Sequence, residues 1–506
     1  MHAPVGCVLL ALASHQGVRA SPLTRERTLI ITRHGIRVPF PPFEGHPISI
    51  FSRDSSRPWL PDPSSWGAAK IAALTAHGKK VIQLMGAHFA ATVLPPKPYD
   101  FTVYSDLDHT NRDIQTAEAF MRGAWPEKNF SIDPWDLAHP TYMALLFNQG
   151  NASASPCTMS GTLPDVIKGE IGGDFERVSA EASVDIMRLN GALDCCTPDV
   201  CKLAGRLRTS GGLVANCTLM DIRTYWEGRS HYWEDFRGPI SVAASLIEYL
   251  QLMYLNGLDW QAVARGSNGP PSSSSAALSA TELRALMHMH ERIMGIADDH
   301  WNAQHAGSEL LVHMAATLLQ RVEPSSALSG LRSSPSDRLV YYAGHDINIY
   351  LLRRLLGLSW LTDSYNPDES PPGGFLTIEL YSMSANASSS SPQVGGTEAD
   401  AAEGGGGGGG GGGDDGSAGG RRSEPPAATA AGKQYFVKIF FMSQSYDQQR
   451  HATPLTAADP ASRAFALIPS CASGPELSCP FPDFKRLVLS VVRRECVRLV
   501  DPSVLE

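Results

Sequence analysis

The 506-residue sequence predicts a mixed, mainly parallel α/β sheet flanked by helices, with a mostly helical domain inserted into it. In residues 28–122 and again in 338–356, short apolar runs alternate with stretches of helical periodicity, which is typical of a parallel sheet covered by helices. Between residues 125 and 321, strand-like runs become rare and helical periodicity dominates. The length also favours two domains, because it exceeds that of one ordinary hydrophobic core.

The first segment, residues 1–20, is predicted to be a signal peptide. It contains a short apolar stretch at 5–13, and Val18 and Ala20 are small residues at the positions that precede a cleavage site. The alternative is a buried first strand, because no lysine or arginine comes before the apolar stretch.

The sheet domain is predicted to be discontinuous, formed by residues 21–124 and 322–506. Its strands are expected at 28–31, 101–104, 338–343, 375–381 and 435–441. Its helices are expected at 68–94, 111–122 and 346–356, and a proline- and serine-rich segment at 39–65 follows the first strand. The inserted helical domain, 125–321, is expected to contain helices at 240–254, 280–299 and 308–319.

Residues 382–433 interrupt the sheet domain and include ten consecutive glycines at 404–413. Such a composition cannot bury enough apolar surface to offset the entropy of the chain. The run has no lysine and no following helix, so it does not resemble a phosphate-binding loop. We expect a disordered insertion that connects two paired strands.

The overall composition excludes several classes of protein. A formal net charge of -9 disfavours a nucleic-acid-binding protein, whose surface is expected to be basic. No apolar run reaches the roughly 18–20 residues needed to cross a bilayer. An anionic ligand would therefore have to be attracted by local positive charge. The sequence does not indicate an oligomeric state.

Cysteines and glycosylation sequons favour a secreted or lumenal protein. Eight cysteines remain after the predicted signal peptide, and an even number in an exported chain indicates disulfides. A metal site is the alternative for the cluster at 195–201, but no matching second cluster follows. The disulfide candidates are Cys157, Cys195, Cys196, Cys201, Cys217, Cys471, Cys479 and Cys496, and the N-glycosylation candidates are Asn129, Asn151, Asn216 and Asn386.

The motif Arg33-His34-Gly35-Ile36-Arg37 directly follows the first predicted strand. Guanidinium groups bind the oxygens of a phosphate in pairs, and an imidazole can attack phosphorus. Gly35 lets the backbone bend beside the histidine. This motif predicts a site for a phosphate dianion with His34 as its nucleophile.

Two further motifs supply groups of the same kind. Gly344-His345-Asp346 follows the strand at 338–343, and Asp346 would also suit the N-terminus of a helix. Arg112 opens the helix at 111–122, where backbone N–H groups favour an anion.

Together these motifs resemble the histidine acid phosphatases, a family that includes phytases and glucose-1-phosphatases. Shorter stretches also fit the resemblance: Leu74-Thr75-Ala76-His77-Gly78, Gly307-Ser308-Glu309-Leu310-Leu311, Pro371-Pro372-Gly373-Gly374 and Cys479-Pro480-Phe481-Pro482-Asp483-Phe484. The resemblance implies a nucleophile (His34), a proton donor (Asp346), phosphate-binding residues (Arg33, Arg37, Arg112 and His345) and a substrate contact (Asn348). It also implies disulfides Cys471–Cys479 and Cys157–Cys496, with the other two bonds among the four remaining cysteines.

The sequence departs from the family pattern at Asp113, where many relatives have threonine. A carboxylate beside a phosphate site would weaken binding by repulsion unless it points away. The residues after His345 are similar to those of the glucose-1-phosphatases, whereas many phytases have threonine after the aspartate.

The resemblance implies an acid phosphatase that hydrolyses small phosphate monoesters through a phosphohistidine, with no metal and no cofactor. One alternative is a phytase or inositol-polyphosphate phosphatase of the same family. A mutase-like transferase is disfavoured by the His345-Asp346 pair, and an inactive glycosylated surface protein is the alternative of a different class. His288, His290 and His300 do not share one helix face, so we do not expect a metal site there.

Overall fold

The computed structural model describes residues 23–42, 46–94, 100–105, 110–128, 132, 145–146, 163–203, 217–226, 236–267, 276–324, 328–384 and 432–506. The predicted signal peptide, the asparagines of the four sequons, Cys157 and residues 385–431 of the glycine-rich insertion lie outside these residues.

The strands of the described chain are β1 (Thr24–Arg33), β2 (Phe101–Ser105), β3 (Tyr225–Trp226), β4 (Phe236–Arg237), β5 (Leu339–Gly344), β6 (Phe375–Ser384), β7 (Lys433–Ser443), β8 (Ser462–Phe465) and β9 (Cys479–Pro480). The helices are α1 (Ala76–Thr92), α2 (Arg112–Ala124), α3 (Leu163–Glu170), α4 (Phe175–Glu181), α5 (Ser183–Leu193), α6 (Pro198–Leu203), α7 (Pro239–Leu255), α8 (Ala280–Leu286), α9 (His288–Ala297), α10 (His300–Val322), α11 (Asp346–Leu356), α12 (Tyr446–His451) and α13 (Phe481–Val491).

The main sheet has the strand order β2-β5-β1-β6-β7-β8, and β9 also pairs with β7. β1 and β2 both pair with β5 in parallel, whereas β6 to β9 join through antiparallel pairs. The mixed α/β sheet is thus confirmed. Most strands share one direction, and parallel pairing is confined to β2-β5-β1.

Apolar side chains alternate between the two faces of the sheet, as the period of a strand requires. Leu29 and Ile31 of β1 face α10, α11 and α13, whereas Ile30 faces α1 and α2. The apolar run at the start of the chain is therefore a central strand covered on both sides. Because β1 is buried in this way, its carboxyl end is held firmly in place.

Two helices begin eight residues away from their predicted starts. α1 begins at Ala76 rather than at 68, because Thr75 accepts a hydrogen bond from the backbone N–H of Gly78 and caps the helix. α10 begins at His300 rather than at 308, because Asp299 accepts from the backbone N–H groups of Trp301 and Asn302. The apolar periodicity used for the prediction does not register such caps.

The helices from α3 to α9 and the small β3–β4 sheet occupy the chain between α2 and α10. Residues of α5, α7, α8 and α9 form one apolar core with residues 36–66 of the loop that follows β1. α10 instead packs into the core on one face of the main sheet. The segment after β1 is therefore shared between the sheet and the helical region.

Disulfides link Cys195 to Cys196, Cys201 to Cys217, and Cys471 to Cys479. The short Cys471–Cys479 loop and the pairing within the cysteine cluster are as predicted. Cys496 is also disulfide-bonded. Its predicted partner, Cys157, lies outside the described residues, so that pairing stays a prediction. Among the described helices, none combines the length and the apolar character of a membrane span.

Candidate active site

The candidate nucleophile lies where the carboxyl ends of β1 and β5 meet. The backbone N–H of His34 donates to the carbonyl of Gly344 at 2.9 Å, and its own carbonyl accepts from Gly373 at 3.0 Å. The N–H of Arg33 donates to Gly374 at 3.0 Å. The glycine pair after the prolines thus holds the end of β1 from the other side, at the edge where open α/β sheets bind ligands.

The imidazole of His34 is buried and has one ring nitrogen engaged. Its Nδ1 lies 2.9 Å from the carbonyl oxygen of Gly35. A carbonyl oxygen only accepts, so Nδ1 carries the ring proton and the lone pair of the neutral imidazole is on Nε2. This is the nitrogen that a nucleophilic histidine needs.

The surroundings of His34 keep the ring uncharged. Burial lowers the pKa of His34 well below its ordinary value, and the positive charges of Arg112 and Arg37 lower it further. His34 therefore stays neutral in mildly acidic solution, where an isolated histidine would be largely protonated.

The three candidate phosphate-binding arginines are buried around this ring. Arg33 donates to the carbonyl of Ser370 at 2.7 Å, and Arg37 donates to the carbonyl of Val38 at 3.3 Å. Arg112 is the first residue of α2. The guanidinium carbons of Arg37 and Arg112 lie 4.8 and 5.9 Å from the centre of the Phe40 ring. Three cations and one neutral imidazole thus converge, as a phosphate dianion would require.

Glu248 of α7 is a site residue that the sequence analysis missed. Its carboxylate accepts from Arg33 at 2.7 Å and from Arg37 at 3.2 Å. Burial would raise the pKa of Glu248, but Arg37 and Arg33 outweigh burial and lower the pKa to about 2. Glu248 is the only charged residue in α7, whose other residues are mostly apolar. A single charge in a buried helix needs a partner, so this lone glutamate is the sequence feature that could have identified a site residue in α7.

His345 lies beside His34, with a ring centroid distance of 5.5 Å. The guanidinium of Arg112 lies 3.3 Å from Nδ1 of His345 and can only donate, so a neutral His345 carries its proton on Nε2. The carboxylate of Asp113 lies 3.6 Å from that Nε2 and 3.9 Å from Nε of Arg112. Asp113 is thus fully buried against two of the phosphate-binding candidates, and its effect on phosphate affinity stays a prediction.

Asp346, the candidate proton donor, opens α11. One of its carboxylate oxygens lies 3.1 Å from the guanidinium of Arg33, and the other accepts from the backbone N–H of Ile347 at 2.9 Å. Burial raises the pKa of Asp346, but the charges of Arg33 and His290 outweigh burial, so the pKa lies below its ordinary value. In the ligand-free protein Asp346 is therefore a carboxylate near neutral pH.

Asn348 is close to the site but is engaged with the backbone. Its side-chain oxygen accepts from the N–H of His345 at 2.9 Å, and its amide donates to the carbonyl of Leu146. A Cβ on Gly344 would lie 2.5 Å from that side-chain oxygen, which explains the glycine. In this arrangement Asn348 positions His345, and the predicted substrate contact stays a prediction.

The loop that carries His34 is supported by α1 and α2. The N–H of Gly35 donates to the hydroxyl of Thr116 at 3.1 Å. α1 approaches so closely that a Cβ on Gly78 would lie 2.4 Å from the carbonyl oxygen of Ile36. Two of the shorter stretches that support the resemblance, 74–78 and 371–374, therefore position the loop.

Each candidate catalytic or phosphate-binding side chain named from the sequence lies in this one region. The described structure adds Glu248 and, one contact further away, His290 of α9, whose Nδ1 lies 3.0 Å from Glu291. The hydroxyl of Tyr350 donates to Glu291 at 2.6 Å. Both additions come from helices that are distant in sequence from the motifs.

The comparisons with known proteins indicate the fold. No protein-family model matches the sequence, and no curated protein matches it either. Among solved structures, a phytase from Hafnia alvei is 21% identical, with a TM-score of 0.66 over 94% of this chain and 99% of that one. A phytase from Citrobacter braakii is 19% identical, with a TM-score of 0.65 over 94% and 99% of the two chains. A phytase from Klebsiella sp. ASR1 is also 19% identical, with a TM-score of 0.65 over 95% and 98%. This chain has the fold of these bacterial phytases.

Proposed function

We propose that the protein is a histidine acid phosphatase that hydrolyses phosphate monoesters through a phosphohistidine at His34. One observation carries the proposal: the Nδ1 contact of His34 with Gly35 places the lone pair on Nε2, amid three buried arginines. The likeness in fold to phytases supports the same reaction class.

The proposed reaction has two steps, and both use side chains of this chain. Nε2 of His34 attacks phosphorus, the ester P–O bond breaks, and Asp346 transfers a proton to the departing oxygen. This leaves an alcohol, a phosphohistidine and a carboxylate. Water then attacks phosphorus, its proton goes to Asp346, and the N–P bond breaks to release phosphate and neutral His34.

The charge on Asp346 must change during this cycle. The charge of Arg33 holds the pKa of Asp346 down in the free protein. A phosphate dianion bound to Arg33 would oppose that effect and add a nearby negative charge, and both changes raise the pKa. Substrate binding would therefore itself favour the protonated acid, which supports an acid pH optimum.

The test is a phosphatase assay at acid pH on an aryl phosphate, combined with rapid quenching in an alkaline denaturant to trap the phosphorylated protein, because the N–P bond of a phosphohistidine hydrolyses in acid. We expect turnover that EDTA does not reduce, and a trapped phosphohistidine. His34→Ala should remove both signals, whereas substitution of the exposed His300 by alanine should remove neither. Turnover by His34→Ala would contradict the proposal.

The second candidate is a phytase. It is favoured by the likeness in fold, and a related Hafnia alvei structure is a complex with myo-inositol hexakis sulphate. Comparing the activity on phytate, glucose 1-phosphate and an aryl phosphate would separate the two candidates.

We also propose that the protein is secreted or lumenal and carries an inserted helical domain. The disulfides of the described chain support an oxidising compartment. Because α10 packs against the main sheet, we place the end of the inserted domain before His300 rather than at 321. Mass spectrometry of the secreted protein would test cleavage after residue 20 and glycosylation at the four sequons.

A further inference from the structure

An apolar cavity lies directly beside the arginines of the candidate active site. Its volume is about 270 Å³, and it is lined by residues of the loop after β1, by Ile71 and by Tyr249 of α7. The loop residues include Phe40, Ile48 and Leu60, together with four prolines. Phosphate chemistry itself does not require a wall of this kind.

Phe40 connects the cavity to the phosphate-binding groups. Its ring lines the cavity and also faces the guanidinium groups of Arg37 and Arg112, at 4.8 and 5.9 Å. A phosphate held by these two arginines would therefore have the Phe40 ring beside it. An ester substituent that extends past the ring would enter the cavity.

A second connection runs through α7. Glu248 contacts Arg33 and Arg37, and the next residue, Tyr249, forms part of the cavity wall. The hydroxyl of Tyr249 accepts from the backbone N–H of Leu60 at 3.2 Å, and its ring packs against Trp59 and Trp66 at 5.6 Å. The part of the wall that Tyr249 forms is therefore backed by two buried tryptophans, Trp59 and Trp66.

The residues that line the cavity carry too little positive charge to bind a polyanion. Of its lining residues, His46 alone can become a cation. The sequence has no lysine or arginine between Arg37 and Arg53, the stretch that supplies most of the lining residues. A substrate with several phosphates would need further cations there, whereas an apolar group would need none.

We propose that this cavity binds the leaving group of the substrate and selects phosphate monoesters of apolar alcohols or phenols over highly phosphorylated substrates. The inference rests on the proposed phosphatase function, because it assigns the substrate class of that site. The apolar part of the ester leaves water on binding, and the phosphate stays with the arginines.

The test compares n-hexyl phosphate with ethyl phosphate. Their leaving alkoxides are nearly equally basic, so a difference in kcat/KM reports contacts between the protein and the alkyl group. Each methylene that leaves water is worth up to about fourfold. We expect a preference for the hexyl ester of at least about tenfold, and a lower kcat/KM for inositol hexakisphosphate than for the hexyl ester.

Two variants locate the effect. Ile71, whose exposed fraction is 45%, lies in the cavity wall and can accept lysine without disturbing the core. Ile71→Lys should reduce the hexyl preference and raise activity on inositol hexakisphosphate. Leu361→Lys is the matched control, because Leu361 has an exposed fraction of 64% and does not line the cavity, and it should change neither. Phe40→Ala should also reduce the hexyl-to-ethyl ratio, which is insensitive to a general loss of phosphate binding.

Binding of n-hexylphosphonate and ethylphosphonate, measured by calorimetry, separates this inference from the phosphatase proposal. If no ester is hydrolysed but the hexyl compound binds at least tenfold more tightly, the phosphatase proposal fails and the apolar subsite stands. Equal kcat/KM and equal binding for the two chain lengths would overturn the subsite. A preference for inositol hexakisphosphate would overturn the substrate class while leaving the phosphatase proposal intact.

Discussion

The two histidines at the ends of β1 and β5 occupy neighbouring positions but have opposite partners. Nδ1 of His34 faces the carbonyl of Gly35, which accepts, whereas Nδ1 of His345 faces the guanidinium of Arg112, which donates. The first ring therefore has its lone pair on Nε2, and the second carries its proton there. The atom facing Nδ1 thus suits one imidazole to the proposed role of nucleophile and the other to that of hydrogen-bond donor.

The backbone near each ring is held in a similar way, because the N–H of Gly35 donates to the hydroxyl of Thr116 and the N–H of His345 donates to the side-chain oxygen of Asn348. The opposite partners of Nδ1 therefore show that the role of a histidine cannot be assigned from its position at a strand end alone. Substitutions that remove one partner at a time should therefore separate the two roles.

The largest difference between substrates is expected when Asp346, the proposed proton donor, is replaced by asparagine. Asp346→Asn should slow hydrolysis of an alkyl phosphate about 10²–10⁴-fold, because the alkoxide needs a proton to depart. Hydrolysis of a nitrophenyl phosphate should slow less, because nitrophenolate departs without help. Single-turnover rates of phosphorylation on the two esters measure this difference. Equal slowing of both would show that Asp346 is not the leaving-group acid.

Removal of the imidazole of His345 should still allow His34 to form the phosphohistidine. We expect His345→Ala to lower kcat about 10²–10³-fold, as does the loss of one hydrogen bond to a developing charge. The phosphohistidine should still be trapped, since His34 is intact. Labelling of this variant and of His34→Ala, quenched in an alkaline denaturant, measures the difference, and absence of the label in both would mean that His345 is not merely a donor.

Neutralising Glu248 should strengthen phosphate binding. In the free protein its carboxylate pairs with Arg33 and Arg37, so Glu248→Gln should lower the inhibition constant of inorganic phosphate by roughly tenfold or less. Glu248 also raises the pKa of Asp346, so the alkaline limb of kcat/KM should move to lower pH. Glu495→Gln, on the surface, is the control. Weaker phosphate binding would indicate that Glu248 is needed to position the arginines.

The smallest effect on kcat is expected for substitutions of Thr116, which holds the loop that carries His34. Thr116→Val removes the acceptor for the N–H of Gly35 and should lower kcat about 3- to 10-fold, the worth of one hydrogen bond. Thr116→Ser should restore most of the activity. A kinetic comparison of the two variants with similar melting temperatures tests this, and an unchanged kcat in Thr116→Val would show that the hydrogen bond does not position the loop.

Much of the sheet and the core of the site could be predicted from the sequence. α11 has the predicted bounds, and β6 and β7 pair as expected, because alternating apolar residues and strand-end motifs are local signals. Glu248 and His290 were not predicted as site residues, because only the packing of α7 and α9 brings them to Arg33 and Asp346. Helix starts at Ala76 and His300 were misplaced because side-chain caps, not apolar periodicity, determine them.

The β6–β7 pair indicates where a tag or a reporter can be inserted into the protein. Phe375 pairs with Thr32 near His34, whereas Ser382 pairs with Thr24 at the other end of β1. At about 3.3 Å per residue, that end is roughly 30 Å from the catalytic edge. Ser384 pairs with Lys433, so the two strands remain side by side where the insertion begins and ends. An affinity tag or a fluorescent reporter could therefore replace residues 385–431 and report on the protein without approaching its chemistry.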